Sequence, residues 1–474
     1  MHRTWLRVVC LVGLILGMAW GVRAQGERRD AELEALRQRV RELEAQNRTI
    51  LRMLEALKQQ LAKRGVHEAG AQSGAAGEKA RRGRRAQGEE VTRSSPKSGS
   101  QKTVTWKELS PKGSRLQFYG FLRLDLIADS ARPDFAQTIF RVRSADARLG
   151  PGNERGNFTM HPRLTRIGIN YQGPEIGGGG KLTGKFEVDF QNGGRESRPR
   201  FRTRHAYLKL SWGAFSLLGG QTWDIISPLY PTVNNDTLMW NAGNLGDRRA
   251  QVRFSYEPDV GGGRFSFVGG VGLTGAIDSK DLDGDGFRDG EASRRPNLQA
   301  RIGYAHALWS AGSRLSIGLS GHYGWEEMVT PIAGRKSFRS QSLNVDYALT
   351  LHERVMLRGE GWFGRNLSDF RGGVGQGLNT ALGTEIRSRG GWAELGLKLS
   401  RFYRIFPGYA IDDPVDRDIP VQGRVKNRAW YIVNRFYPGG PFVLGIDYLH
   451  WTTDYKGFDR GIDHRLNLYV QYNF

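Results

Sequence analysis

Apolar and polar residues alternate with a period of two over most of the chain beyond residue 115. In LQFYGFLRLDL, which begins at Leu116, the side chains of Leu122 and Leu124 share one face and those of Arg123 and Asp125 share the other. The segments KLTGKFEVDF, RAQVRFSY and ERVMLRGE repeat this pattern. Because successive side chains of a strand point to opposite faces, each segment predicts a β-strand with one apolar and one polar face.

The number and length of these segments distinguish two all-β folds. A soluble β-sandwich also alternates in this way. About sixteen strands of 9 to 14 residues instead match the tilted strands that cross a bilayer. A closed barrel satisfies every backbone group in lipid, and a barrel of that size encloses water, which explains the polar face. We therefore predict an all-β transmembrane antiparallel β-barrel of about sixteen strands over residues 116–474, preceded by an N-terminal α-helical coiled coil.

Residues 27–65 have a different period. Their apolar positions fall into four heptads, with the a series Leu33, Val40, Asn47, Leu54 and Leu61 and the d series Leu36, Leu43, Ile50 and Leu57. This spacing predicts a coiled coil. An Asn at position a favours a dimer, but the β-branched Ile50 at d and the apolar neighbours Leu51 and Met53 widen the seam, so we predict a trimer. An amphipathic helix lying on its own barrel is the alternative.

A segment rich in Gly, Ala, Ser and Arg follows at residues 66–115, with Arg81, Arg82, Arg84 and Arg85 close together. This composition predicts a flexible basic linker. The basic run suits contact with anionic lipid or cell-wall polymer, or a simple solvated spacer. In an exported chain it does not indicate a nucleic-acid partner.

The N-terminus predicts export. Arg3 and Arg7 precede an apolar stretch, and Ala24 ends a cleavage motif, so residues 1–24 are expected to form a secretory signal peptide. The single cysteine, Cys10, lies within that stretch and would be removed with it.

The last strand, RLNLYVQYNF, places Val470, Tyr472 and Phe474 on one apolar face and ends on the aromatic residue. Such a strand is typical of the signal that outer-membrane barrels present to the barrel-assembly machinery, although an ordinary edge strand shows the same alternation. Together with the signal peptide, it predicts a location in the outer membrane of a Gram-negative-type bacterium, surrounded by outer-membrane lipid.

The composition is consistent with a barrel, but most of the chain's net positive charge lies outside the barrel residues. Hydrophobic residues are 39% of the chain, and 64 of the 474 residues are glycine. Of the net charge of +22, residues 1–115 carry +12, and residues 116–474 carry +10, from 46 basic and 36 acidic side chains. The basic excess of the barrel is therefore modest.

The basic side chains on the expected polar face outnumber the acidic ones. We predict that they line the pore and favour anions, since arginine binds carboxylate and phosphate through paired N–H groups. A mixed-charge wall with weak selectivity is the alternative. The predicted pore-lining residues are Arg123, Arg166, Lys185, Lys209, Arg249, Arg253, Arg301, Arg354 and Arg358.

A long irregular segment, Thr222 to Asp247, follows the fifth strand, the place from which general porins send a loop into the lumen. Long loops of this kind are usually functional. We predict that it narrows the pore, with Trp223, Asp236 and Trp240 at the constriction; an exposed outer loop is the alternative.

The segment DLDGDGFRDGE carries oxygen ligands at the spacing of a calcium loop. Its candidate ligands are Asp281, Asp283, Asp285, the carbonyl of Phe287, and Asp289. Position 12 is Ala292 where an EF-hand has Glu, so a plain acidic turn is an equal alternative. No other cofactor is expected. No catalytic motif of the G-x-S-x-G, H-E-x-x-H or Walker type occurs, so we do not expect an enzyme.

The chain resembles the DcaP-like outer-membrane porins. The resemblance lies in FYGFLRLDLIAD from Phe118, LLGGQTWD from Leu217, NLGDRRAQVRFSY, and the closing strand. It implies a sixteen-stranded homotrimeric porin with a periplasmic coiled coil that passes small anionic solutes such as dicarboxylates. The alternatives are a phosphate- or sugar-selective porin, and a structural anchor that binds cell wall through its coiled coil and linker.

Overall fold

The computed structural model describes residues 113–191, 200–233, 238–309 and 312–474. The predicted signal peptide and coiled coil, and the linker up to residue 112, lie outside the described residues and stay predictions.

Strands make up most of the described chain. In chain order they are β1 Arg115–Asp129, β2 Asn157–His161, β3 Arg166–Ile176, β4 Gly180–Asp189, β5 Arg202–Trp212, β6 Phe215–Trp223, β7 Arg248–Tyr256, β8 Asp259–Val260, β9 Gly263–Gly272, β10 Asn297–Ala307, β11 Arg314–Ile332, β12 Arg335–His352, β13 Val355–Arg365, β14 Leu378–Asn379, β15 Thr384–Glu385, β16 Arg387–Lys398, β17 Tyr403–Pro414, β18 Arg424–Gly439, β19 Phe442–Tyr455 and β20 Phe458–Asn473. One helical turn, α1, spans Asp289–Ala292, and 3-10 turns span Ala147–Leu149, Ser368–Phe370, Gly373–Gly375 and Asp416–Asp418. Among the described residues, no helix has the length and hydropathy needed to cross a bilayer.

These strands close into one antiparallel barrel. β1 pairs with β20 in a register that runs from Phe121 opposite Asn473 to Asp129 opposite Arg465. β2 and β3 both pair with β1 and form one interrupted strand, β8 is a short extension at the turn before β9, and β14 and β15 form a separate ribbon. The wall therefore has sixteen strands, and the predicted fold of the barrel is confirmed.

The two faces of the wall have the expected polarity over much of the barrel. Outward side chains are apolar and exposed, such as Leu122, Val252 and Ile302, each more than half accessible. Their sequence neighbours Arg123 and Arg301 point inward. An apolar outer belt is what lipid requires, because a charged side chain there would be desolvated without a partner.

Short turns lie at the end of the barrel where β1 begins and β20 ends. All the long loops, together with two turns of two residues, lie at the other end. The loops of that second end are residues 130–156, 190–201, 224–247, 273–296, 333–334, 366–386, 415–423 and 456–457, and we name them L1 to L8 in chain order.

The closing contact depends on a glycine. The backbone N–H of Gly120 donates to the carbonyl of Phe474 at 3.1 Å, and the N–H of Phe474 donates back at 3.0 Å. A Cβ on Gly120 would lie 2.3 Å from the carbonyl oxygen of Arg166 and 2.8 Å from the Phe474 ring. Only glycine allows β3 and the terminal aromatic ring to approach β1 this closely. Val470, Tyr472 and Phe474 all face outward and are exposed.

A hydrophobic core forms inside the barrel. Side chains of L1, including Ile139 and Val142, and of L3, including Val233 and Met239, pack on inward side chains of β16 to β19. The inward residues of those strands in this core are Trp392, Ala410, Ala429, Tyr431, Val433, Leu449 and Trp451. The inward face is therefore not polar throughout, because two loops exclude water from one side of the lumen.

Candidate functional site: an arginine-lined cavity beside an inward loop

L3 lies inside the barrel. Its side chains Ile225, Ile226 and Trp240 are 2 to 4% exposed, as expected for residues covered by the wall. Its backbone is bonded to inward side chains of distant strands: Trp362 Nε1 donates to the carbonyl of Gly243 at 2.6 Å. The alternative of an exposed outer loop is thereby excluded for the described part of L3.

Two buried glutamates of the wall hold the first half of L3. Glu360 on β13 accepts hydrogen bonds from the backbone N–H of Leu229 at 2.9 Å and from Ser227 Oγ at 2.8 Å. Glu394 on β16 accepts from the N–H of Thr232 at 2.7 Å and from its Oγ1 at 2.6 Å. A buried backbone N–H or hydroxyl left without an acceptor is costly, so these contacts fix the position of L3 across the lumen.

Arg249 joins L3 to L6. Its guanidinium is fully buried and contacts Asp224 at 2.6 Å and Asp369 at 2.8 Å. It also lies over the ring of Phe370, 4.0 Å from the centroid. One arginine thus connects the beginning of L3, the wall strand β7 and loop L6.

A second ion pair connects the end of L3 to L6. Asp247 contacts Arg371 at 2.9 Å and Arg248 at 3.3 Å. Burial alone would raise the pKa of Asp247, but the neighbouring charges of Arg371 and Arg248 lower it to about 2. The carboxylate therefore stays ionised at any physiological pH.

A cavity of about 310 Å³ remains beside L3. L3 supplies Tyr230, Pro231, Thr232, Val233 and Leu238 to one side of it. Five arginines of the wall strands contribute the charge: Arg166, Arg204, Arg248, Arg358 and Arg435. Among the described residues that line it, none is acidic.

Carboxylates stand behind these arginines and neutralise part of their charge. Arg204 contacts Glu187 at 2.7 Å and Asp189 at 2.9 Å, and Arg358 contacts Glu394 at 2.8 Å. With the further bases that share the same acids, the cluster has eight basic side chains, Arg166, Lys185, Arg202, Arg204, Arg248, Arg358, Arg371 and Arg435, against five acidic ones, Glu187, Asp189, Asp247, Glu394 and Asp447. The cluster is therefore net positive, and five of its eight basic groups line the cavity.

The structure separates the nine basic residues predicted to line the pore into distinct groups. Arg166 and Arg358 line the cavity. Lys185, Lys209, Arg253 and Arg301 lie at inward positions of the wall away from the cavity lining; Arg301 pairs with Asp346 at 2.6 Å.

Three predicted pore-lining residues need correction. Arg123 faces inward but is sealed between Asp125 and the ring of Tyr469, and its side chain has no exposed surface. Arg249 is sealed between L3 and L6 in the same way. Arg354 lies in the exposed turn between β12 and β13 beside Glu353, outside the strands, because the alternating pattern ran on into the turn.

Two of the three predicted constriction residues are described, Trp223 just before L3 and Trp240 within it. Trp223 ends β6, stacks on Tyr230 and lines the cavity, and Arg248 lies over its ring at 4.3 Å. Trp240 is buried within L3 and lies 6.2 Å from Trp223, centroid to centroid. Asp236 lies outside the described residues.

Sequence reasoning missed Arg204, Arg248 and Arg435. Arg204 is the extra residue of a β-bulge, since Glu187 pairs with His205 and Val188 pairs with Thr203, so both Arg204 and His205 turn inward. Arg248 lies next to Arg249 at the loop end of β7, where regular alternation stops and both are buried. Arg435 lies on the same inward face of β18 as Tyr431 and Val433, and these two side chains make that face look apolar in the sequence. The signal in the sequence that could have identified Arg435 as inward-facing is the alternation of side chains along β18.

The acidic segment of L4 is separate from this cavity. One carboxylate oxygen from each of Asp281, Asp283 and Asp285 lies within 4.8 Å of the other two. Asp289 begins α1 and is buried, whereas Phe287 is 65% exposed.

Comparison with solved structures identifies the type of barrel. The outer membrane channel DcaP of Acinetobacter baumannii is similar to this chain, with a TM-score of 0.61 and 18% sequence identity, over 77% of this chain and 99% of that chain. The chain has a porin fold. The anion-selective porin from Comamonas acidovorans (TM-score 0.49, 14% identity, 76% of this chain and 100% of that chain) and OmpF of Salmonella typhi (TM-score 0.48, 14% identity, 76% and 98%) are more distant.

No protein-family model and no curated protein sequence matches the chain. The porin barrel therefore rests on structural similarity, and it agrees with the resemblance to DcaP-like porins seen in the short motifs of the sequence.

Proposed function

We propose that this chain is an outer-membrane porin that allows small hydrophilic anions of the dicarboxylate class to diffuse passively through a water-filled, homotrimeric barrel. The observation that carries the proposal is the cavity beside L3, which five arginines line and no described acidic side chain does. Fixed positive charge in a narrow aqueous passage lowers the energy of an anion and raises that of a cation.

The chemistry of these arginines favours carboxylate and phosphate groups over neutral solutes. A guanidinium presents paired N–H donors that match two oxygens of one anionic group. A solute with two carboxylates can contact arginines on two sides of the passage, such as Arg166 on β3 and Arg358 on β13. Phosphate offers similar contacts, so permeation has to be compared directly.

The same proposal includes the membrane and the partners of the protein. The apolar outer belt of the barrel suits outer-membrane lipid, and the exposed row of Val470, Tyr472 and Phe474 suits recognition by the barrel-assembly machinery. The heptads of residues 27–65 support the trimer, and the basic linker supports contact with cell wall; both remain proposals.

Planar-bilayer recording of the full-length protein tests selectivity. In a tenfold KCl gradient we expect conductance steps whose reversal potential has the sign of a chloride-preferring channel. A potential of the opposite sign would contradict the proposal, and a folded barrel with no steps would favour the structural anchor instead. Liposome swelling then ranks succinate, phosphate and glucose; we expect succinate to permeate fastest, and a faster phosphate or glucose would favour the corresponding alternative.

A variant pair locates the selective charge. Arg166→Gln removes a cavity arginine that lies 3.6 Å from Glu187, and Glu187 keeps a closer partner in Arg204 at 2.7 Å. By Coulomb's law in a water-filled passage, we expect the ratio of chloride to potassium permeability to fall roughly twofold. Arg354→Gln removes the same charge from the exposed turn and should leave the ratio close to wild type. Equal effects of the two variants would mean that overall charge sets the selectivity.

A further inference from the structure

Another cavity lies at the end of the barrel that carries the short turns. It has a volume of about 240 Å³ and lies between β12, β13, β16 and β17, beside the turns that join them in pairs. We name it the short-turn cavity, and its lining includes Thr350, Met356, Gly396, Lys398 and Arg404. The described residues that line it are distinct from those of the cavity beside L3.

Two basic side chains point into the short-turn cavity. Lys398 lies four residues after the buried, inward Glu394 on β16, and Arg404 lies six residues before the buried, inward Ala410 on β17. The two strands keep one register over this stretch. Because every second side chain of a strand shares a face, Lys398 and Arg404 both face the lumen.

The charge of these two side chains is not neutralised. Glu353, the one acidic residue among the described lining residues, is exposed at the rim and lies 3.8 Å from Arg354, so these two charges offset each other. Within the described chain, no carboxylate lies within 4 Å of Lys398 or Arg404. By contrast, each of the five arginines of the cavity beside L3 has a carboxylate within that distance.

An independent observation shows that Arg404 lacks an acceptor. Its Nε is buried and has no hydrogen-bond partner among the described residues. One face of its guanidinium lies over the ring of Tyr437, 4.7 Å from the centroid, which leaves the edge with its N–H groups for an acceptor. A buried N–H without an acceptor is costly, and an anionic oxygen would satisfy it.

The register of the strands connects the short-turn cavity to the cavity beside L3. Lys398 is directly opposite Arg404, and Arg404 is directly opposite Arg435. Like charges at directly opposite positions repel each other, and Arg435 has Asp447 as its partner. An anion among the three side chains would reduce this repulsion. Since Arg435 also lines the cavity beside L3, the basic row leads from one cavity to the other.

We propose that Lys398 and Arg404 form a binding site for the carboxylate group of a small solute at the short-turn end of the pore. The inference rests on the proposed porin function and adds a second anion site in series with the cavity beside L3. A carboxylate that leaves Arg435 meets Arg404 on the next strand, so it keeps a cationic partner along the passage. Conduction favours such neighbouring sites of moderate affinity, because the solute has to leave as well as enter.

Titration of the chloride current with succinate, on single channels of the full-length protein in planar bilayers, tests the site. In the wild type we expect succinate to occupy the pore and lower the current until the effect saturates. The double variant Lys398→Gln/Arg404→Gln should raise the half-saturating succinate concentration about fivefold, because two charges near the solute are lost. Lys398→Arg/Arg404→Lys keeps both charges and should recover most of the affinity.

Arg401→Gln is the matched control. Arg401 is exposed in the turn between β16 and β17 and lies outside the described lining of the short-turn cavity. Its substitution removes the same charge from the same end of the barrel, and the half-saturating concentration should stay at the wild-type value. Resistance of the folded barrel to SDS at room temperature confirms that each variant folds.

Failure of this site and failure of the porin proposal give different results. Wild-type protein that forms no conductance steps, or that prefers potassium, contradicts the porin function. Wild-type channels that prefer chloride overturn the short-turn site alone if succinate does not saturate them, or if the double glutamine variant has an unchanged half-saturating concentration. Isothermal calorimetry with sodium succinate in detergent micelles decides the site without any current: we expect weaker binding in the double glutamine variant, and equal binding would overturn the site.

Discussion

The inward faces of two parts of the barrel wall differ in chemistry. Strands β3 to β7 present charged side chains, among them Arg166, Glu187 and Arg204, beside the cavity. Strands β16 to β19 present large apolar side chains such as Leu449 and Trp451, and L1 and L3 cover them. A position that faces the lumen is thus polar where water or an ion pair remains and apolar where a loop packs on it.

Under the proposed porin function, this difference sets where solutes pass. L3 is fixed to the side of the lumen formed by β13 to β18 through Glu360, Glu394 and the shared hydrophobic core. The cavity lies beside L3 and is lined by the charged strands and also by Arg358 of β13 and Arg435 of β18. Packing on one side of the lumen therefore brings arginines from both sides around a single cavity.

The largest expected loss of stability comes from a substitution on the charged side of the wall, strands β3 to β7. Arg249→Met leaves Asp224 and Asp369 buried without their cation, and we expect it to lower the free energy of unfolding by about 3 to 5 kcal/mol. The temperature at which the folded barrel loses its fast migration in SDS gels measures this. Arg253→Met is the control on the same strand, because Arg253 bonds to Gln251 and to the carbonyl of Trp223. If both variants cost the same, the double ion pair is not what stabilises this side.

The second largest expected loss of stability comes from a substitution on the apolar side of the wall, strands β16 to β19. Leu449→Ala opens a cavity in the core between L1, L3 and the wall, and we expect a loss of about 2 to 5 kcal/mol in unfolding free energy. Leu444→Ala changes the same residue type on the outward face of the same strand, where Leu444 is 41% exposed, and should cost less. An equal loss in both variants would mean that L1 and L3 do not pack on β19 in the membrane.

The smallest effect is a pH dependence at the junction of L3 and L6. The folded-state pKa of Asp247, about 2, lies below the ordinary value near 3.9, so its ion pairs stabilise the fold fully above about pH 4 and lose this contribution as the pH falls toward 2. Relative to Asp247→Asn, the wild type should be more stable by about 2 kcal/mol at pH 7. The difference should shrink to near zero at pH 2; a difference that persists there would mean that the charge is not its source.

Much of the fold could be predicted from local patterns. Alternation of period two fixed the outward faces of the strands, since lipid admits only apolar side chains there, as Leu122 and Val252 show. The position of the segment Thr222 to Asp247 after the fifth strand predicted a loop in the lumen, and most of that loop is described there.

The site was harder to predict, because alternation gives the direction of a side chain and not its surroundings. Arg123 and Arg249 point inward as expected, yet partners distant in sequence, Tyr469 for one and Asp369 for the other, seal them from the cavity. Arg204 escaped prediction because a bulge, which depends on pairing with β4, changes the register by one residue.

The sequence by itself determined the strand count, the apolar belt, the closing strand and the acidic spacing of L4, because each depends on residues close together in the chain. Only the tertiary structure decided which arginines line the cavity and which form buried ion pairs. That distinction depends on where L1, L3 and L6 fold inside the barrel, and those loops are held by carboxylates more than a hundred residues away, as Leu229 is by Glu360. Such contacts depend on burial, charge and loop geometry together, so the local pattern of apolar and polar residues does not predict them.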